Sequence, residues 1–383
     1  MVVIAVPMEG EGEPRAAISP ETVKKYIGLG CTVRVQSGVG VASTVLDADY
    51  EEMGAMITAS LEETVSGADV VLKVNRPSAD EIVAFKDGAI VVGMINPFDD
   101  DRSDLKAFLD AVAAKNIKSF SMEFMPRITR AQSMDVLSSQ SNLSGYKAVI
   151  DSAAHFGKAM PMMMTAAGTV PPAKVFVMGA GVAGLQAVAT AKRLGAIVTA
   201  TDVRPAAKEQ VESLGGKFVA VENDEFKEAE TAGGYAKEMS DDYKRQQAEL
   251  VAKHIAGQDI VITTALIPGR PAPTLISADM VRSMKPGSVI YDMAVERGGN
   301  CELSKPGEIL NENGVLVLGP LNIPGALAGN ATSLYAKNLA NFVALFVTEE
   351  DGIKIDFEDE IIQGTLLTND GKVVHPRLTE TAD

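Results

Sequence analysis

A glycine-rich segment in the middle of the chain carries the first chemistry. Gly179, Gly181 and Gly184 follow a short apolar run, residues 174–178, and precede a helical stretch that reaches Leu194. In such a loop the first glycine allows a tight turn, the second lets backbone approach a pyrophosphate, and the third lets helix pack on strand. The helix N-terminus then offers free N–H groups to phosphate. The segment predicts a dinucleotide-binding loop; a glycine-rich turn in a site-free Rossmann-like domain is the alternative.

An acidic residue ends the next apolar run. Residues 196–201 have the composition of a buried strand, and Asp202 follows them directly. A carboxylate at this place can accept hydrogen bonds from the two ribose hydroxyls of NAD, and it repels the 2′-phosphate of NADP. Asp202 therefore predicts NAD(H) as the bound dinucleotide.

A polar segment, residues 125–141, joins the two halves of the chain. Arg127, Gln132, Asp135 and Ser138 supply donors and acceptors suited to an amide, ribose hydroxyls and a pyrophosphate. Ligands prefer clefts between domains, so we expect this segment to contact the bound nucleotide. A network of interdomain ion pairs would use the same residue types, and the spacing alone leaves that alternative open.

Two later strand ends carry further candidates. Thr264, Ala265 and Leu266 follow the predicted strand 260–263, and Asp292 follows the predicted strand 289–291. In an open α/β sheet, ligands bind beyond the carboxyl ends of the strands. We therefore expect these residues to face the nicotinamide half of the dinucleotide.

A general acid or base is missing from these strand ends. A dehydrogenase acting on an alcohol or amino acid moves a proton together with the hydride, and generally uses His, Lys or Tyr for it. The chain has three histidines, His155, His254 and His375, and none follows a predicted strand of the nucleotide site. Transfer of a hydride between two nicotinamides needs no such group, because no proton is exchanged.

The elements that must position these residues alternate between strand and helix. Near-continuous apolar strands between helices predict an α/β fold of two Rossmann-like, doubly wound parallel sheets with a cleft between them, plus a C-terminal hairpin at Asp370-Gly371. We expect one domain from residues 1–140 plus 325–383 and an NAD(H)-binding domain from 141–324. The polar stretch at about 222–242 is predicted to be a mobile loop over the site, against the alternative of an inert charged segment.

Composition excludes several classes of function. The formal net charge of -16 argues against nucleic acid and against docking on anionic lipid. Two distant cysteines and three scattered histidines predict no disulfide and no metal site. No signal peptide and no membrane-spanning stretch is evident. Four methionines between Met160 and Met164 are expected to fill gaps in the core.

Taken together, these motifs resemble one family over nearly the whole chain. The segments 127–141, 179–184, 202–205, 233–239 and 263–273 are similar to the NAD(H)-binding component, domain I, of proton-translocating nicotinamide nucleotide transhydrogenases. The resemblance implies direct hydride transfer between NADH and NADP⁺ bound on a partner component, with a membrane-spanning component that couples the transfer to proton translocation. It also implies a homodimer, active only in complex with the NADP(H)-binding partner, and cytoplasmic, peripheral to the inner membrane through its partners.

The resemblance also implies roles for individual residues. Arg127, Gln132 and Asp135 would position the nicotinamide without acid–base chemistry, and Tyr235 and Met239 would be the contacts of the mobile loop. The full set of cofactor contacts is then Arg127, Gln132, Ser133, Met134, Asp135, Ser138, Gly179, Gly181, Val182, Gly184, Asp202, Val203, Arg204, Gly234, Tyr235, Met239, Gln247, Thr264, Ala265 and Leu266. The stretches 8–13 and 320–326 depart from the family pattern, which bears on dimer or partner contacts more than on NAD.

Two alternative functions remain open. In alanine dehydrogenases, which share the two-domain plan, substrate-binding positions match Arg15 and Lys73, and the catalytic aspartate matches Asp292. The catalytic histidine of that family would fall near residues 95–97, where this chain has none. An NAD-sensing module, whose loop reports occupancy to a partner, is the third hypothesis.

Overall fold

A computed structural model describes residues 1–98, 102–227, 229, 239–267 and 269–379. The chain forms two compact units. Unit 1 comprises Met1–Gln140 and Pro324–Asp383, and unit 2 comprises Ser141–Ile323. Within the described ranges, no helix is long and apolar enough to cross a membrane.

The secondary structure alternates along most of the chain. The strands are β1 Val3–Val6, β2 Thr32–Gln36, β3 Met56–Thr58, β4 Val70–Leu72, β5 Ile90–Gly93, β6 Lys118–Ser121, β7 Met163–Thr165, β8 Gly168–Val170, β9 Lys174–Met178, β10 Ile197–Thr201, β11 Lys217–Phe218, β12 Ile260–Thr263, β13 Val289–Asp292, β14 Ile309–Glu312, β15 Val315–Leu318, β16 Val347–Thr348, β17 Gly352–Ile353, β18 Leu366–Asn369 and β19 Lys372–Val373. The α-helices are α1 Pro20–Gly28, α2 Asp47–Glu52, α3 Leu61–Val65, α4 Ala79–Ala84, α5 Arg102–Ala114, α6 Val136–His155, α7 Val182–Arg193, α8 Ala206–Ser213, α9 Asp224–Lys227, α10 Asp241–Ile255, α11 Ala278–Ser283, α12 Ala328–Val343, α13 Glu360–Thr365 and α14 Pro376–Thr379.

Unit 1 contains one sheet of eight strands in the order β19-β18-β6-β5-β4-β1-β2-β3. The strands β1 to β6 are mutually parallel, and β18 and β19 add antiparallel at the β6 edge. The order reverses between β1 and β4, so the loops that follow these two strands leave the sheet on opposite sides. This is the topological switch point at which open α/β sheets hold ligands.

Unit 2 repeats the plan in a sheet of seven strands, in the order β11-β10-β9-β12-β13-β15-β14. All neighbours are parallel except the edge pair β14 and β15. The switch point here lies between β9 and β12. The glycine-rich loop follows β9 and residues 264–266 follow β12, so the sheet brings these two predicted segments together.

The two sheets explain why the strands are apolar throughout. Every residue of β5, β12 and β13 is buried, as expected for parallel strands with helices on both faces. The helices begin at local signals in the sequence. At α1, Ser19 caps the first turn in a capping box with Thr22, and Pro20 supplies the preset φ of the first position. The predicted fold class, with two doubly wound parallel sheets, is confirmed.

Two predictions near the domain ends had different outcomes. The C-terminal hairpin forms between β18 and β19, and its turn residues Asp370 and Gly371 have φ of 49° and 70°. Positive φ at both positions is what a two-residue hairpin turn requires. The methionine prediction was wrong for most of the run: Met160 is buried, but Met162, Met163 and Met164 are 58%, 43% and 80% exposed at and beside the β7–β8 ribbon.

Candidate functional site

The glycine-rich loop of unit 2 packs tightly against the end of β12. Gly179 has a φ of +103°, and a Cβ built on it would lie 2.5 Å from the Thr264 hydroxyl oxygen. That hydroxyl donates to the Gly179 carbonyl oxygen at 3.1 Å. A Cβ on Gly184 would lie only 1.8 Å from the same carbonyl oxygen. Any side chain at these two positions would push α7 away from β9, so glycine is required for the loop to close.

Gly181 has the opposite surroundings. A Cβ added there would meet nothing within 4 Å, so its backbone faces open space. Gly181 is also the N-cap of the 12-residue helix α7, and no side chain caps that N-terminus. The first N–H groups of α7 therefore lack the side-chain partner that most helices provide. A pyrophosphate placed beside Gly181 would satisfy them and would meet the positive end of the helix dipole.

Asp202 lies one strand away from this helix, and its carboxylate is held by the protein itself. Oδ2 accepts from the Ala180 N–H at 2.7 Å and from the Arg204 guanidinium at 3.0 Å. Oδ1 accepts from the Arg204 N–H and from its Nε, both at 2.9 Å. The Asp202 side chain is 7% exposed and that of Arg204 is 30% exposed. The acceptor predicted for the ribose is thus oriented in advance, with a guanidinium beside it.

Exposed aliphatic side chains surround the same end of the sheet. Val182 follows β9, Val203 follows β10 and Leu266 follows β12, and they are 44%, 45% and 53% exposed. Single exposed aliphatic residues are common on any surface. Three of them at three neighbouring strand ends provide the apolar surface on which flat heterocyclic rings can lie.

Two residues of the predicted site have other contacts in unit 2. The Gln247 amide donates to the Thr201 hydroxyl at 3.0 Å and accepts from the Val221 N–H at 2.9 Å, so it joins the end of β10 to the following loop. Met239 is 7% exposed and packs in the core beside α10. The remaining two loop candidates, Gly234 and Tyr235, lie outside the described residues.

Asp292, at the end of β13, is fully buried and accepts five hydrogen bonds. Its donors are the Thr263 hydroxyl at 3.1 Å, the N–H groups of Ala294, Asn300 and Cys301 at 3.0, 2.8 and 2.9 Å, and the Ser304 hydroxyl at 2.5 Å. A carboxylate with all its lone pairs engaged in the interior organises a loop. The expectation that Asp292 faces a nucleotide is therefore wrong, because no surface of its side chain is open.

Asn300 connects Asp292 to the predicted nicotinamide contacts. Its side-chain oxygen accepts from the Ala265 N–H at 3.0 Å, and its amide nitrogen donates to the carbonyl oxygens of Ala265 and Pro273 at 2.9 and 2.8 Å. Sequence reasoning missed Asn300. The signal available was the pair Gly298-Gly299 before it, both with positive φ in the structure, which marks a sharp turn behind the site.

In unit 1, the predicted Arg-Gln-Asp segment is a well-anchored loop. It forms a short 3₁₀ helix, Thr129–Met134, whose Ser133 carbonyl oxygen accepts from Asn338 and Asn341 of α12. The Asp135 carboxylate accepts from the Ser138 N–H at 2.9 Å and from its hydroxyl at 2.5 Å, which caps α6. Met134 is buried, whereas Arg127, Gln132 and Ser133 are exposed.

The three histidines have structural contacts. His155 lies on the surface of α6, where its Nδ1 is 2.9 Å from the Asp151 carbonyl oxygen. In unit 2, His254 Nε2 is 2.9 Å from the Thr199 hydroxyl, and burial, with Lys217 and Lys174 nearby, lowers its pKa. In unit 1, the ring of His375 stacks on Phe124, and burial lowers its pKa as well. None of the three follows β9, β10 or β12.

Comparison with known proteins agrees with this arrangement. The family model described as "Alanine dehydrogenase/PNT, N-terminal domain" matches residues 5–144, and "Alanine dehydrogenase/PNT, C-terminal domain" matches residues 148–376. The first polypeptide of the NAD(P) transhydrogenase subunit alpha of Rhodospirillum rubrum is 53% identical over 383 residues, 98% of each chain. The crystal structure of transhydrogenase from Sinorhizobium meliloti has a TM-score of 0.87 at 51% identity and covers 97% of this chain and 100% of its own.

A more distant structure shares the fold. An L-alanine dehydrogenase has a TM-score of 0.82 at 23% identity, covering 99% of this chain and 98% of its own. At that identity the similarity concerns architecture alone. The chain therefore belongs to the alanine dehydrogenase/PNT family, with the transhydrogenase alpha subunits among its near relatives.

Proposed function

We propose that this chain is the NAD(H)-binding component of a proton-translocating NAD(P) transhydrogenase, of the Si-Re specific kind. The observation that carries the proposal is the switch point of the unit 2 sheet. There an uncapped helix N-terminus, the open backbone at Gly181 and the oriented Asp202 carboxylate lie at neighbouring strand ends. These three features match the pyrophosphate and the adenosine ribose of one dinucleotide.

The choice of NAD(H) over NADP(H) rests on charge. A 2′-phosphate would have to approach the Asp202 carboxylate, which is largely buried and engaged as the acceptor for the Ala180 N–H. Arg204 could soften that repulsion, but its Nε and terminal nitrogen are already directed at Asp202. We therefore assign NAD(H) to this chain and NADP(H) to a partner component.

For the reaction we assign positioning rather than proton transfer to the residues of this chain. Bound NADH supplies a hydride, two electrons and one hydrogen nucleus, and nicotinamide on the partner accepts it without a proton. The backbone of Ala265, fixed by Asn300, and the exposed Leu266 would hold the ring from unit 2. Arg127, Gln132 and Asp135 would hold its carboxamide from unit 1, where the loop is anchored by α12.

The partners follow from the same proposal. A chain that presents a hydride donor needs an NADP(H)-binding component against which the nicotinamide can face, and a membrane-spanning component for proton translocation. The Rhodospirillum rubrum relative is named as one portion of a subunit alpha, which supports a multi-subunit assembly. We propose that the complex is the active form and that the chain alone has little activity.

A homodimer belongs to this proposal. The β7–β8 ribbon of unit 2 presents Met162, Met163 and Met164 to solvent, and an open apolar groove of about 700 Å³ lined by Met160, Pro161 and Leu194 lies in the same unit. Methionine-rich surfaces adapt to apolar partners. Light scattering should give the mass of two chains, and Met164→Asp should shift the mass toward one; a wild-type mass of 40.3 kDa would contradict the homodimer.

The decisive experiment has two steps. The purified chain is first titrated into NADH and into NADPH with nucleotide fluorescence as the readout; the chain has no tryptophan, so little protein emission interferes. Hydride transfer to an NADP⁺ analogue is then assayed with and without an NADP-binding transhydrogenase component. Binding of NADH and transfer only with the partner are expected. Tight NADPH binding would contradict the cofactor assignment.

The same assays separate the two alternative functions. Reduction of NAD by alanine with the chain alone, at ordinary enzymatic rates, would establish an amino-acid dehydrogenase. No histidine follows β5, and the buried Asp292 accepts five hydrogen bonds, so the described residues offer no acid–base group for that reaction. NADH binding without hydride transfer to any NADP-loaded partner would leave the NAD-sensing module.

A further inference from the structure

Unit 1 has a switch point of its own, and charged side chains are buried there. Its parallel strands follow the order β3-β2-β1-β4-β5-β6, so the ends of β1 and β4 define the crevice in which open sheets bind ligands. Residues 8–15 follow β1 and Lys73 follows β4. Arg15 is 6% exposed and Lys73 is 1% exposed. Two cations buried at a ligand crevice form the core of an anion site.

Glu13 occupies the place that an external carboxylate would take on Arg15. Its Oε1 accepts from Arg15 Nε at 2.7 Å and its Oε2 accepts from a terminal guanidinium nitrogen at 2.6 Å. This is the two-pronged geometry in which arginine binds a carboxylate ligand. Gln140 accepts from the other terminal nitrogen at 3.0 Å. Burial alone would raise the pKa of Glu13, but the hydrogen bonds and charge of Arg15 outweigh it and lower that pKa.

Lys73 is engaged in the same way. Its ammonium donates to the Met8 carbonyl oxygen and to Glu81, both at 2.8 Å, and lies 3.4 Å from the Glu9 carboxylate. Glu9 also accepts from the N–H groups of Val74 and Asn75, directly after β4, at 2.7 and 3.2 Å. The three protons of the ammonium thus have three acceptors from this chain.

The next strand end has the same construction. After β5, the N–H groups of Ile95 and Asn96 donate to the carboxylate of Glu123 at 3.1 and 2.7 Å. Unit 2 differs at the equivalent place, because the loop after its first strand has no acidic residue and leaves Gly181 open. One crevice is open to an anion, and the other is filled by anions of the protein.

We propose that Glu13, supported by Glu9, is a specificity-determining residue: its carboxylate is a built-in substitute ligand that closes the anion site of unit 1 to small carboxylic acids. Removing it converts the crevice into a binding site for a small monocarboxylate such as acetate or a 2-oxo acid. The consequence for the reaction rests on the proposed function. A chain that binds NADH but cannot bind a 2-oxo acid passes its hydride to another nucleotide.

The test is rescue of a truncated side chain. Glu13→Ala removes the internal carboxylate and leaves Arg15 in place. The thermal midpoint is measured in sodium acetate and in sodium chloride at equal ionic strength. We expect acetate to raise the midpoint of Glu13→Ala by about 3–6 °C at a concentration roughly ten times its dissociation constant. The wild type should give the same midpoint in both salts.

Matched variants decide the outcome. Glu11→Ala removes an exposed acid from the same loop and should show no response to acetate. Glu13→Gln keeps the side-chain volume, and calorimetry should detect acetate or pyruvate binding to it; adding Arg15→Met should abolish that binding. Should Glu13→Ala fold only in acetate, the proposal is supported. Equal responses of Glu13→Ala and Glu11→Ala, together with no binding to Glu13→Gln, would overturn it. NADH titration of each variant reports unit 2 separately, so failure here leaves the proposed function intact.

Discussion

Replacing Asp292 by asparagine tests whether this buried carboxylate organises the site or takes part in chemistry. The substitution keeps the shape and converts one oxygen into an NH₂ group. With NH₂ in the place of Oδ2, the N–H groups of Asn300 and Cys301 would both lose their acceptor. With NH₂ in the place of Oδ1, only the Ala294 N–H is orphaned, since the Thr263 hydroxyl can turn and accept. The second orientation is therefore expected.

The magnitude follows from that count. One buried N–H without a partner costs about 1–3 kcal/mol, and three bonds to Oδ2 that lose a charged acceptor weaken by about 0.5 kcal/mol each. The sum is about 3–4 kcal/mol, confined to the loop behind residue 265. Amide hydrogen exchange followed by mass spectrometry should therefore speed up by about 100-fold or more in peptides covering residues 294–304. Binding of NADH should weaken with it, because Asn300 would no longer fix Ala265.

The control is Asp279→Asn, whose side chain is 94% exposed and should change neither exchange nor binding measurably. The reasoning is refuted if Asp292→Asn exchanges like the wild type while hydride transfer collapses. That result would give Asp292 a direct chemical role, which its five donors in the structure speak against.

Three further outcomes are expected. Gly184→Ala should destabilise unit 2 and abolish NADH binding, because its Cβ would meet the Gly179 carbonyl oxygen at 1.8 Å and α7 would have to move; thermal unfolding and NADH titration measure both effects. Asp202→Ala should weaken NADH binding by about 1–3 kcal/mol in a fluorescence titration, since the ribose hydroxyls lose their acceptor. His254 has a lowered pKa in the folded state, so the unfolded chain takes up its proton first as the pH falls. Its contribution to stability is present at neutral pH and is lost below about 6.5, and His254→Gln should show a shallower loss in pH-dependent unfolding.

Each of these outcomes can fail informatively. Gly184→Ala with wild-type NADH affinity would remove the glycine loop from the site. An unchanged dissociation constant for Asp202→Ala would remove Asp202 from it. Equal slopes of stability against pH for wild type and His254→Gln would mean that this imidazole titrates alike in the folded and unfolded chain.

The sequence predicted best those features that depend on neighbouring residues. The glycine loop needs Gly179, Gly181 and Gly184 within one turn, and Asp202 follows its strand directly, so short-range pattern was enough. The hairpin at Asp370-Gly371 is predictable for the same reason, because only a few residues tolerate two successive positive φ angles.

What could not be predicted depends on residues far apart in the chain. Gln247 meets Thr201 across 46 positions, and Asn300 meets Ala265 across 35. Neither pair has a local pattern, because the sheet order alone brings them together. The methionine run failed for another reason: methionine is common in cores and equally suited to exposed apolar contacts, so residue type could not distinguish the two for Met162–Met164.

The pairing of β18 with β6 has a consequence for how the chain is made. Ser119 and Thr368 meet in that pair, 249 residues apart, and all of unit 2 lies between them. A ribosome delivers unit 2 as one continuous stretch, but it delivers the last two strands of the unit 1 sheet only after unit 2 is complete. We expect unit 2 to acquire protease resistance first on stalled nascent chains, while β6 waits as an unpaired edge. Simultaneous protection of both units would contradict this order of folding.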